Sequence, residues 1–246
     1  MYFENLIDAS TGFQNEQNNT DKSLYGIDIF SVISPLCEGG NISAVSSRPG
    51  MGKTTMLCQI AINTCVLKNI NCYYIFLWQE SDWQDNNRVK ARMRFLSNGL
   101  NSDTKAELLF SQCKEICIDE LSSVILNEVN NGVVIIDGIE RIKSPSYQRT
   151  ISVLKSIADK KDIAIIVSSC LPRLFQSLSN KNTIADRVKY LSYFDNLLLV
   201  HREPFDFDNP ENADDIEIFM PKSELPTPII MEYLCGKGYY RLKTNF

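Results

Sequence analysis

The sequence predicts an α/β fold: a doubly wound, mostly parallel sheet whose last strands form an antiparallel edge. Three observations carry that prediction. Apolar runs of strand length alternate with longer segments of helical period from about Leu24 onward. Several of those runs are continuous Val and Ile, which is how strands buried on both faces read. One of them opens through "SSRPGMGKTTM", Ser46 to Met56, directly into a helical segment.

Taken in order, "NISAVSS" (41–47) is the first strand, and the helix after it runs from Lys53 to about Lys68. "CYYIFLW" (72–78) is the second strand. Helical period then covers Trp83 to about Leu96, with a further helix around Asp103–Cys113. "GVVIIDG" (132–138) is a strand, Ser146 to about Lys160 a helix, and "IAIIVSS" (163–169) and "NLLLVHR" (196–202) are strands. "DIEIFM" (215–220) and "IIMEYL" (229–234) close the chain as the antiparallel edge. The helices between buried strands supply the parallel crossovers. Residues 10–23, "STGFQNEQNNTDKS", are too polar to pack, so residues 1–23 are expected to be a leader or linker and 24–246 the folded domain. No internal repeat is visible.

Composition narrows the function classes. At 246 residues and 44% hydrophobic, the chain can bury the core of one large domain. A net charge of −5 with scattered Lys and Arg lacks the overall basic footprint of many nucleic-acid binders. The eight cysteines, Cys37, Cys58, Cys65, Cys72, Cys113, Cys117, Cys170 and Cys235, sit in apolar contexts without a C-x-x-C pair, and His201 is the only histidine. That pattern argues against zinc and for buried free thiols in a reducing cytoplasm. The start "MYFENLIDAS" has no signal-peptide pattern, and no apolar run approaches eighteen residues, so a cytoplasmic protein without membrane insertion is expected.

The chemistry concentrates in three places. Ser46–Met56 approximates the phosphate loop G-x-x-x-x-G-K-[ST], with Ser47 where the first glycine normally stands. Ser47, Arg48, Pro49, Gly50, Met51, Gly52, Lys53, Thr54 and Thr55 are therefore the candidate nucleotide contacts. Loop amides and the helix N-terminus make a donor array for phosphate oxygens, Lys53 reaches the β and γ phosphates, and the Thr54 hydroxyl ligates Mg²⁺. A Gly-Lys-Thr turn that merely starts a helix is the bland alternative, and the strand, loop and helix context weighs against it. Asp137, at the tip of "GVVIID", is the candidate magnesium-linked carboxylate on a strand beside the first; alone, Asp137-Gly138 is equally a turn signal. Glu80, just past "CYYIFLW", is placed to activate water, although "ESDW" also reads as an acidic helix start.

These residues, in this order, resemble the C-terminal RecA-like ATPase domain of DnaB-type replicative DNA helicases. "YGIDIFSVISPLCEGGNISAVSSRPGMGKTT" matches that family's pattern without a gap, including Arg48-Pro49 and Met51, and the family commonly has a small non-glycine residue at the Ser47 position. "IFLWQESDWQ" resembles the segment that carries its catalytic glutamate, on Glu80, and "GVVIIDGIERI" its Walker B strand, on Asp137. "IAIIVSSCLPRLF" and "FDNLLLVHREPF" resemble two later strands, so the likeness spans about Leu24 to Leu242. The resemblance implies a RecA-like P-loop NTPase that uses ATP and Mg²⁺, with single-stranded DNA for a partner and either further copies of itself, as a hexamer, or replication proteins.

The chain departs from that pattern at two points. Cys170 stands where the family has a γ-phosphate-sensing glutamine, and Glu224 stands where it has the arginine supplied to a neighbouring subunit, with Lys222 kept nearby. The region 177–193 holds Lys181, Arg187 and Lys189, which reads as a solvated surface more readily than as a DNA loop. Only about twenty-three residues precede the ATPase region, so the family's primase-interacting domain is not expected in this chain. Two functions follow: a DnaB-like ATPase acting on DNA in replication or mobile-element maintenance, or a helicase-derived nucleotide-binding module that regulates assembly or recruits a partner without motor activity. A small-molecule kinase on the same loop is less attractive, because nothing resembles an acceptor lid.

Overall fold

The computed structural model describes residues 1–6, 34–78, 88–94, 105–171, 192–202, 215–221, 229–234 and 239–242. Six strands form a parallel centre in the spatial order β4 (Leu108–Cys113), β3 (Cys72–Leu77), β6 (Val133–Asp137), β8 (Ala164–Cys170), β2 (Ile42–Ser47) and β9 (Asn196–His201). Antiparallel strands flank it. β1 (Glu4–Asn5) pairs with β4, while β10 (Asp215–Phe219), β11 (Ile229–Leu234) and β12 (Tyr239–Leu242) extend the sheet beyond β9. A small parallel pair, β5 (Ile116–Cys117) with β7 (Ile142–Lys143), stands apart.

Both faces of the central strands are apolar because both are covered. One face carries Tyr74, Phe76, Val133, Ile135, Ile166 and Val45, packed against Met56, Leu57 and Ile60 of α1 (Lys53–Lys68). The other carries Tyr73, Ile75, Val134, Ile136, Ile165 and Val167, packed against α2 (Ile118–Glu128) and α3 (Tyr147–Lys161). Adjacent residues of one strand thus enter opposite layers, which explains continuous apolar runs instead of alternation. Residues 56–65 of α1 are all buried, and Gln59 among them bonds to the Tyr240 backbone of β12. Its ends are set by backbone: Gly52 at the N-cap and Asn69 at the C-cap are left-handed, and the Asn69 N–H closes on the Thr64 carbonyl. α3 starts conventionally, with the Ser146 hydroxyl accepting from the Arg149 N–H at 3.1 Å.

Several expectations change here. Asp103–Cys113 was expected to be helical, but 108–113 is β4, an interior strand between β3 and β1. Ala106, Glu107 and the two leucines favour helix locally, and the ladder to β3 overrides them. Of the helix expected over Trp83–Leu96, 88–94 is described and helical. α2 was not anticipated, nor was β12, which makes the antiparallel edge three strands long. The strand of Asp137 is not beside β2: β8 lies between them. Residues 1–6 of the expected leader join the fold through β1 and the buried Leu6. None of the seven described cysteines is in a disulfide, and Cys117 and Cys170 are exposed, because both stand at strand ends. No helix among the described residues is long and apolar enough to cross a membrane.

Candidate functional site

A parallel sheet delivers the C-terminal ends of its strands to one edge, and helices that follow those strands begin there. At that edge lies a cavity of about 740 Å³, lined by Pro49, Gly50, Gly52, Lys53, Thr54 and Thr55 from the loop and helix start, and by Asp137, Gly138, Ser168 and Cys170 from β6 and β8. Six of the nine expected loop residues therefore face the cavity. Ser47, Arg48 and Met51 do not line it.

The loop is held by its own polar groups. The buried Ser47 hydroxyl donates to the Arg48 carbonyl at 2.7 Å. The Lys53 ammonium donates to the Ser47 carbonyl, the Ser47 hydroxyl and the Arg48 carbonyl, each at 3.3 Å. Ser47 thus does something glycine cannot, since it gives the lysine an extra acceptor. Gly50 and Gly52 have φ of 79° and 93°, in the left-handed region. Nothing lies within 4 Å of where a Cβ on Gly50 would stand, leaving the backbone open to an approaching anion. At Gly52 a Cβ would collide with the Tyr240 hydroxyl, so β12 closes down on the loop there.

Asp137 enters from β6 and is only 5% exposed. Its Oδ1 accepts from the Ser168 hydroxyl at 2.6 Å and its Oδ2 from the Tyr74 hydroxyl at 2.9 Å. The Ser168 oxygen in turn accepts from the Gly138 N–H at 2.7 Å, which sets the turn after β6. Burial, and then the neighbouring Asp137 carboxylate, push the Tyr74 phenol well above its ordinary range, so it stays a donor. The carboxylate is therefore fixed in orientation by hydroxyls from both flanking strands.

Among the described residues there is no group of three or more His, Cys, Asp or Glu side chains that could hold a metal. A single carboxylate with a threonine hydroxyl fits Mg²⁺, which takes one or two carboxylates and fills its remaining positions with phosphate oxygens and water. The donor set suits magnesium on a polyphosphate and does not suit zinc.

Some residues at the cavity were not singled out from sequence: Arg88, Arg92, Glu140 and Arg141 line it, and Arg92 donates to the Thr55 hydroxyl. Glu140 accepts from the Cys170 N–H, joining the turn after β6 to the tip of β8. The sequence did hold a signal for them, an arginine-bearing helical segment and the "GIER" turn, without saying which way they face. Cys170 is at the cavity as expected, in register with Ser47. Glu80, Lys222, Glu224, Lys181, Arg187, Lys189 and Cys235 lie outside the described residues.

Comparison with solved structures decides the fold. The chain matches the ATPase domain of G40P with a TM-score of 0.62 and 14% identity, over 84% of this chain and 86% of that one. The fold is that of this ATPase domain. A DnaB-like replicative helicase, described with its interactions with primase, matches this chain at a TM-score of 0.62 and 13% identity, over 91% of this chain and 68% of that one. At such identities the likeness is one of fold. No protein-family model matches the sequence, and no curated protein does.

Proposed function

We propose that this chain binds ATP with magnesium in the cavity at the strand ends and hydrolyses it, as a DnaB-like helicase-family ATPase acting on DNA in replication or mobile-element maintenance. The observation that supports this most is the convergence of Lys53 and Thr54, at the start of α1, with the oriented carboxylate of Asp137 on one cavity. Loop amides from Pro49 to Gly52 and the first turn of α1 receive the phosphates. Lys53, now on the loop carbonyls, turns its charge toward the β and γ oxygens. Thr54 and Asp137 would hold the magnesium, which when bound neutralises phosphate charge. In the reaction a water oxygen bonds to the γ-phosphorus, the bond to the β–γ bridging oxygen breaks, and the electron pair leaves on ADP. Glu80 orients the water and takes its proton. Partners in this reading are single-stranded DNA, replication proteins such as a primase, and further copies arranged as a hexamer.

One observation favours a second reading. Cys170 stands exposed at the tip of β8 on the cavity wall, and a thiol is a weak hydrogen-bond partner for phosphate or water. With that sensing position weakened, nucleotide would set assembly or partner recruitment without driving a motor. Steady ATP turnover with and without single-stranded DNA, compared with Glu80→Gln and Lys53→Ala, separates the two. DNA-stimulated turnover lost in Glu80→Gln supports the motor, and tight binding with negligible turnover supports the module. Unchanged nucleotide affinity and turnover in Lys53→Ala would sink both.

A further inference from the structure

The helical segment 88–94 presents three pairs of residues, each spaced i, i+4 and each facing a different neighbour. Val89 and Met93 are buried in the core layer of α1. Lys90 and Arg94 both reach Glu4 on β1, the latter at 2.7 Å, so the first strand pins the segment against the sheet edge. Arg88 and Arg92 line the cavity, and the Arg92 guanidinium donates to the hydroxyl of Thr55, two residues beyond Lys53. Arg141 lines the same cavity from the turn after β6.

The charge is lopsided. Among the described residues the cavity wall carries four cations, Lys53, Arg88, Arg92 and Arg141, against two carboxylates, Asp137 and Glu140. That excess stands at the N-terminus of α1, whose dipole adds to it.

We propose that Arg92, with Arg88 beside it on the same helical face, supplies in cis the positive charge that the transferring γ-phosphoryl group requires. The inference rests on the ATPase reading above and deepens it, because one copy of this chain then carries its own arginine for hydrolysis. As water bonds to the γ-phosphorus and the bond to the bridging oxygen breaks, negative charge grows on that oxygen and on the γ oxygens. A guanidinium fixed by the Thr55 hydroxyl meets that charge without reorganising. Glu4 acts on the site as a positioning residue, through Lys90 and Arg94. A purely structural Arg92, tying 88–94 to α1, would need only a donor to Thr55 and no charge.

Arg92→Gln distinguishes these, since it keeps an N–H donor and loses the charge. The measurements are Mg-ATP turnover, affinity for a fluorescent ATP analogue, and turnover per molecule over a wide dilution series. Arg92→Gln is expected to bind the analogue within a few-fold of wild type while turnover falls by about 100-fold or more, Arg92→Lys to be intermediate, and Arg88→Gln to lose less. Wild-type turnover per molecule is expected to be unchanged on dilution. The proposal is overturned by analogue binding with wild-type turnover in both Gln variants, or by turnover that vanishes as oligomers dissociate. Should Arg92→Gln fail to fold, Arg88→Gln and Arg92→Lys decide, and wild-type turnover in both overturns it. A wild-type chain that binds no analogue overturns the ATPase reading as well, so the two failures are told apart by binding alone.

Discussion

The Tyr74 hydroxyl donates to Asp137 Oδ2 at 2.9 Å between the adjacent strands β3 and β6, beneath α1. Tyr74 is fully buried, and its oxygen also meets the Cys58 thiol of α1 at 3.9 Å. Tyr74→Phe removes the donor and keeps the ring. It is expected to cost about 1–3 kcal/mol, the usual size for a buried bond to a charged group, because one carboxylate oxygen loses its partner. Ser168→Ala strips the other oxygen, and the double variant is expected to be non-additive, since both act on one carboxylate. Urea unfolding of the three variants measures this, and a fluorescent ATP analogue with magnesium reports whether the loosened carboxylate also weakens binding.

Gly50 and Gly52 differ in a testable way. Both need positive φ, so alanine at either costs about 1–2 kcal/mol of backbone strain. Only at Gly52 does a methyl also meet the Tyr240 hydroxyl. Gly52→Ala is therefore expected to lower the melting temperature more than Gly50→Ala, and the double variant Gly52→Ala, Tyr240→Phe to recover part of the difference. Equal losses in the two single variants would show that Tyr240 gives way freely.

Gln59 of α1 is 2% exposed and clamps β12 by its backbone: its Nε2 donates to the Tyr240 carbonyl at 2.6 Å and its Oε1 accepts from the Tyr240 N–H at 2.8 Å. Gln59→Leu keeps the volume and leaves a buried N–H and C=O unpaired, at about 1–3 kcal/mol each. Amide exchange at Tyr240 is expected to speed up by at least about tenfold, more than at Val134 in the centre of the sheet. Uniform exchange across both sites would mean that β12 does not open separately.

Alkali is expected to destabilise the chain before it ionises the core. Burial, then the Asp137 carboxylate, push the Cys58 thiol up to about 12 from an ordinary 9.0. Between those values the unfolded chain has released a proton that the folded chain keeps, so rising pH favours unfolding. The slope is about 1.4 kcal/mol per pH unit for this group. Below the ordinary value the contribution is fully present. Urea midpoints from about pH 8 to about pH 10.5 should fall for wild type and fall less steeply for Cys58→Ala.

Much of the centre of this molecule was legible in the sequence. Strands β3, β6, β8 and β9 carry continuous apolar stretches because both faces of the sheet are covered. The loop between β2 and α1 was legible because Gly50 and Gly52 take the positive φ that a tight strand-to-helix junction asks for. β4 was not legible: Ala106 to Leu109 favours helix, and only the ladder to β3 decides otherwise.

The sequence by itself determined the loop between β2 and α1, since a loop of local geometry needs only neighbours in the chain. Tertiary structure alone decided what surrounds it. β8 between β2 and β6, the hydroxyls of Tyr74 and Ser168 on Asp137, Tyr240 against Gly52, Arg92 on Thr55, and Glu4 paired with Lys90 and Arg94 all join residues far apart in sequence. Periodicity says which face of an element is apolar; it carries no information on which distant side chain stands opposite, because packing of the whole sheet selects that partner.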